Sequence, residues 1–337
     1  MDKVKSKTRK TKRPSEFEQL LAVASACSRY VDEKSAGFRS KTTRDAASQL
    51  SRQMQEIHEL LFLPIRLLIM MRGYVEGIYD VRREIRRLLA RHEVRDKAEL
   101  LRRIDEHIEK SDNPASRPEF VKESFEDAFR VFFLPHAASE PSLTVLLSAA
   151  LIYTWTAFEC LASDLWVAAL NHNPRPLAQS VLGSLETDSD TGLSSRHIQV
   201  GLAAKHGFDL RHCLGTLLKP RFDFSSVPGI TDAYERAFGK SKQPESLKHS
   251  DLRLLEQMRH LIVHRGGVAD ARFRTATKVR ARLGSRIRVK PGQVHRCLLA
   301  ALGASMDLLH MVENWISSNR SPSRASETDG RTEDRPV

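Results

Sequence analysis

The chain has 337 residues, 41% of them hydrophobic and 7% aromatic, enough for a sizeable core in one large domain or two small ones. Its 54 Lys and Arg against 42 Asp and Glu leave a formal charge of +12, which points to polyanionic partners, nucleic acid before an acidic membrane surface. Cys27, Cys160, Cys213 and Cys297 lie far apart, which argues against a zinc knuckle and against a secreted disulfide framework.

The N-terminus is basic but lacks the apolar core of a signal peptide. The run from Leu60 to Met71 contains Pro64 and Arg66 and falls short of the roughly 20 apolar residues a spanning helix needs. A cytoplasmic protein with no membrane segment is expected.

Residues 1–14 carry seven Lys or Arg against one acid, Asp2, and read as a disordered basic tail. Residues 15–112 have a helical, highly charged pattern and read as an N-terminal helical arm. Within it, Gln53 to Arg72 spaces Ile57, Leu60, Leu61, Ile65, Leu68 and Ile69 along one helix face, with a kink expected at Pro64. Val81 to Leu89 and Leu100 to Ile108 continue in the same style. The turn-rich stretch Ser111 to Pro118 marks a boundary, and a domain is expected over 119–318.

That domain opens with a helix from Glu119 to Phe133, ended by Pro135. Leu143 to Leu170 is the most apolar long segment and predicts a central core helix carrying Trp155, Phe158, Leu161, Leu165 and Trp166. Short helices are expected near Ser195 to Lys205, Leu210 to Lys219 and Thr231 to Phe238. Residues 271–306 hold no Asp or Glu but nine Lys or Arg, among them Arg272, Arg274, Lys278 and Arg280. Alternation over Gly284 to Gly292 predicts a small β-hairpin arm. Gln293 to Ile316 is a last amphipathic helix, and 319–337 reads as a disordered tail.

The most chemically suggestive stretch is Met258-Arg259-His260-Leu261-Ile262-Val263-His264-Arg265-Gly266-Gly267, which continues the amphipathic run from Asp251 and ends at a helix-stopping glycine pair. A permanently charged guanidinium beside an imidazole that titrates near neutrality suits work on a phosphodiester. Spacing alone is weak: Arg87 with His92 and Arg102 with His107 repeat the interval inside charged helices with no further signal. The third occurrence adds a polar residue after the arginine, three apolar residues, and then His264-Arg265-Gly266-Gly267.

That surround resembles the signature of the HEPN superfamily, in which an arginine, often followed by a polar residue, stands four to six positions before a histidine. The apolar helix with Trp155, Phe158-Glu159 and Asp164-Leu165-Trp166 is similar to the core helix of such domains. The basic arm before a final long helix is similar too, so that the resemblance spans roughly residues 140–318. It implies an all-α helical bundle that usually dimerises. It also implies metal-independent endoribonuclease activity without a cofactor, in toxin–antitoxin systems or antiviral defence.

Carried over, Arg259 and His264 are the active pair and His260 the polar position after the arginine. Some members add a glutamate from another helix, for which Glu159 is the candidate. Arg265, Arg272, Arg274, Lys278 and Arg280 are the candidate RNA contacts, since phosphate neutralisation supplies most non-specific affinity. A homodimer is expected, with a protein partner or antitoxin as a further candidate.

Five positions along a helix is a rotation of about 140°. The arginine must therefore reach around, the helix must end between the pair, or a second copy must complete the site. Rival readings use the same residues. His260 and His264, four apart, could share a metal, but Leu261 stands where the metalloprotease pattern needs a glutamate. The pair could instead serve the bundle structurally. A catalytically inactive HEPN-like RNA- or protein-binding module is the alternative function.

Overall fold

The computed structural model describes residues 15–90, 140–182, 212–277 and 279–319, with positions 98, 99, 102, 204 and 207 besides. It is all-α, as expected, with no strand among the described residues. The expected helices at 119–133 and 195–205, nearly all of that at 100–108, the turn at 111–118, both tails and Lys278 lie outside that set.

Helix α1 (Glu16–Ser35) begins at a reciprocal cap. Ser15 Oγ accepts from Glu18 N–H at 3.2 Å and Glu18 Oε2 accepts from Ser15 N–H at 2.6 Å, an arrangement worth about 1 kcal/mol. Phe17, Leu20, Leu21, Ala24, Cys27 and Val31 recur at helical spacing and are all buried. Helix α2 (Lys41–Ala90) is one continuous helix where two were expected. It continues through Pro64, whose missing N–H leaves the carbonyl one turn earlier without its usual donor. Its buried residues Ala47, Leu50, Met54, Ile57 and Leu61 face α1 and the centre, whereas Leu67, Ile69 and Met70 beyond them are exposed.

Helix α3 (Glu140–His172) is the expected core helix. Leu151, Trp155, Leu165, Trp166 and Leu170 are each 0% exposed, because α2, α4 (Pro174–Leu182), α5 (Leu214–Leu218), α6 (Val227–Phe238), α7 (Ser250–Arg265) and α9 (Pro291–Ser318) pack around it. Among the described residues it is also the helix long and apolar enough to cross a membrane, by length and composition alone. Two reciprocal bonds fasten α6 to it: Trp166 Nε1 donates to the Ala233 carbonyl at 2.9 Å, and Tyr234 Oη donates to the Ala162 carbonyl at 2.8 Å. Helix α5 approaches so closely that a Cβ on Gly215 would lie 2.3 Å from the Val167 carbonyl oxygen.

Residues 15–61, expected as an arm set apart from the domain, share this core. Leu20, Leu50, Ile57 and Leu61 belong to one buried cluster with Leu151, Leu298 and Val312. A buried carboxylate reinforces the join. Glu313 of α9 accepts from the backbone N–H groups of Arg39 and Ser40 at 2.8 and 3.1 Å and from Thr43 Oγ1 at 2.5 Å. It thereby caps the start of α2 from the far end of the chain.

The expected hairpin over Gly284 to Gly292 is absent. The segment pairs with Gly267 to Ala269 instead, through one antiparallel bridge between Val268 and Arg286. The alternation that suggested a strand has another cause: Val289 is buried against the helices while Arg286, Arg288 and Lys290 face solvent. A short helix the periodicity did not predict, α8 (Ala271–Thr277), precedes it.

Candidate functional site

Helix α7 positions the motif. His249 Nδ1 accepts from Asp251 N–H at 3.2 Å at its start, and Leu252, Leu254, Leu255, Met258 and Leu261 bury one side. The helix runs unbroken through Arg265, so it does not end between Arg259 and His264. Gly266 then turns left-handed at φ 57°, and the Leu261 carbonyl accepts from both glycine N–H groups.

This geometry sorts the motif into two faces. Glu256, His260 and His264 follow one another at intervals of four and share a ridge. The rings of His260 and His264 lie 4.8 Å apart, tilted by 45°, with His264 exposed and His260 half-buried. Arg259, half-buried, lies about 140° around from His264. Within a single chain the pair does not converge on one face.

Burial, and then the positive charges of His264, Arg272 and Arg259, pull the His260 pKa below its ordinary value against the pull of Asp270. His260 therefore favours the neutral state, able to accept a proton. Asp270 is occupied. Its Oδ1 accepts from Phe273 N–H at 2.8 Å, capping α8, and its Oδ2 stands 3.5 Å from Arg265 Nε. The Phe273 N–H, ahead of Arg265, holds its pKa below the usual carboxylate value.

The predicted contacts divide accordingly. Arg265 borders the histidines through Asp270, and Arg272 acts electrostatically on His260. Arg274 and Arg280 line a separate shallow cleft of about 390 Å³ with Thr275 and Leu283. Glu159 remains tied within its own helix, accepting from Trp155 Nε1 at 2.7 Å, and is not among the charges acting on His260.

The carboxylate that the ridge does align is Glu256, which the sequence reading passed over. Burial raises its pKa, partly countered by the Val227 N–H at the start of α6, by Arg253 and by Arg272. Its spacing of four before His260 was the available signal. Among the described residues no group of three His, Cys, Asp or Glu is placed to hold a metal ion. The chain matches no family model, no curated protein and no solved structure, and the reading of the site rests on its own geometry.

Proposed function

We propose that the protein is a metal-independent endoribonuclease of the HEPN type, with Arg259 and His264 as its active pair and His260 beside them. The observation that supports this best is the adjacent, mutually tilted His260–His264 pair towards the C-terminal end of α7, with the cations of Arg259 and Arg272 acting on His260. In the reaction the ribose 2′-hydroxyl attacks the adjacent phosphorus. A neutral imidazole takes its proton, the bond from phosphorus to the 5′-oxygen breaks, and an imidazolium protonates that leaving oxygen. Arg259 stabilises the extra charge on the phosphoryl oxygens. The products are a 2′,3′-cyclic phosphate and a 5′-hydroxyl, and no cofactor is consumed.

The angle between Arg259 and His264 favours a homodimer in which each copy supplies one member of the pair. The exposed apolar residues Val263 and Val268 beside the motif fit such a contact. Cytoplasmic action as a toxin held by a partner, or in antiviral defence, belongs to the same reading. The same angle also supports the second reading, a catalytically silent RNA- or protein-binding module, because one copy alone does not assemble the pair.

Incubation of purified protein with mixed RNA in excess chelator decides between them. Wild type should leave 2′,3′-cyclic ends while His264→Ala and Arg259→Ala bind RNA but cleave at least about a hundredfold more slowly, the loss expected of a general acid–base group. Mixing the two inactive variants should restore part of the activity if the site is shared between copies. Equal cleavage by wild type and His264→Ala sinks the assignment.

A further inference from the structure

The acid-free stretch after α8 folds into a cleft that the motif itself does not use. Arg280, Arg282, Arg286, Lys290 and Arg296 line a cavity of about 530 Å³ between Met258 in the middle of α7, Phe273 of α8, the loop that follows α8, and the first turns of α9. No Asp or Glu lines it. Arg296 alone of these five reaches a carboxylate, with its Nε 3.5 Å from Asp251 Oδ1. The floor is apolar, from the buried side chains of Met258 and Phe273. Arg286 Nε donates to the Gly266 carbonyl at 3.2 Å, so the cleft wall is fastened to the turn that ends the motif helix.

We propose that this cleft holds the sugar–phosphate backbone of single-stranded RNA, as an anchoring track beside the motif. It rests on the reading of the protein as one that handles RNA, and not on cleavage. Three features choose this occupant. The cations are spread over the irregular segment 280–290 and the first turns of α9, which suits contact with more than one phosphate. The one aromatic ring in the lining, Phe273, is 3% exposed, so no face is offered for stacking a base, as a mononucleotide site would need. The surface is concave, so a strand lying in it would meet cations from more than one wall.

The test measures binding of a fluorescein-labelled oligouridylate to the full chain carrying His264→Ala, which keeps the probe intact. Arg282→Ala with Lys290→Ala should weaken binding by roughly tenfold or more, and the slope of log affinity against log salt should become shallower by about 1.4, the amount for two lost phosphate contacts to a single strand. Arg282→Lys with Lys290→Arg, which keeps the charge, should retain both affinity and slope. Unchanged affinity and slope in the double alanine variant, or no binding by the parent protein, overturns the proposal. Displacement of the oligomer by micromolar ATP also overturns it, in favour of a nucleotide pocket. Were His264→Ala to cleave like wild type, the Arg259–His264 assignment would fail, and the same comparison with a 2′-O-methyl oligouridylate, which has no 2′-hydroxyl to attack, would still decide the track.

Discussion

His260 carries more of the site's electrostatics than its place as a polar neighbour of Arg259 suggested. Half-buried beside His264 and within the field of Arg272 and Arg259, it is held below its ordinary pKa. Followed by NMR through its ring proton, it should titrate at a lower pH than a free imidazole. Arg272→Ala should move that midpoint up, because a positive charge acting on the ring is removed. No movement would mean that Arg272 contributes nothing to the shift. The folded state binds its proton less readily than the unfolded state, so charging His260 as pH falls opposes folding. The spacing of Arg259, His260 and His264 was legible from sequence because i to i+4 neighbours on a helix are fixed by geometry. The role of Asp270 was not, since a cap on α8 requires knowing that α8 exists.

Helix ends rather than helix middles decide how these elements meet. Gly266, at φ 57° with open space around the place a Cβ would take, holds the left-handed turn that frees two carbonyls for the basic segment. One accepts from Arg286 Nε and the other, on Gly267, from Ile287 N–H at 2.8 Å. Gly266→Ala should cost about 1–2 kcal/mol in urea unfolding, and Gly266→Asn less, because asparagine tolerates that conformation. The start of α2 depends on Glu313. Burial works to raise its pKa, but the bonds from Thr43, Arg39, Ser40 and Ser317 outweigh it, and the net shift is downward. Its stabilisation is therefore present above the unfolded carboxyl pKa and is lost as pH falls through the folded one. Glu313→Gln should reduce stability by about 1–3 kcal/mol near neutral pH, and the gap to wild type should narrow in acid. A gap constant with pH would show that the charge on Glu313 contributes nothing. Helix periodicity revealed α3, α7 and α9 because each buries a regular stripe or, for α3, nearly every face. The segment from Gly284 misled because alternation reports one buried side, whether the partner is a strand or a helix layer.

On the scale of the molecule, the first two helices belong to the core and are not an appendage. Removing residues 1–61 uncovers the apolar faces of α3 and α9 and strips Glu313 of its donors Arg39, Ser40 and Thr43, so the remainder should lose its cooperative unfolding transition by calorimetry. A sharp transition in the truncated chain would restore the picture of a separable arm. The shared core was not legible because composition shifts report surface charge, while that core depends on contacts hundreds of residues apart in sequence, such as Glu313 with Thr43. The bond between Glu16 Oε2 and the Gly292 N–H, at 3.2 Å, has a consequence for traffic along the surface. It pins the root of the first fourteen residues, seven of them Lys or Arg, two positions from Lys290 at the rim of the basic cleft. If the cleft takes a polyanion as proposed, one caught by those residues would be leashed at its mouth, and its second encounter would become a short local search instead of a fresh collision from solution.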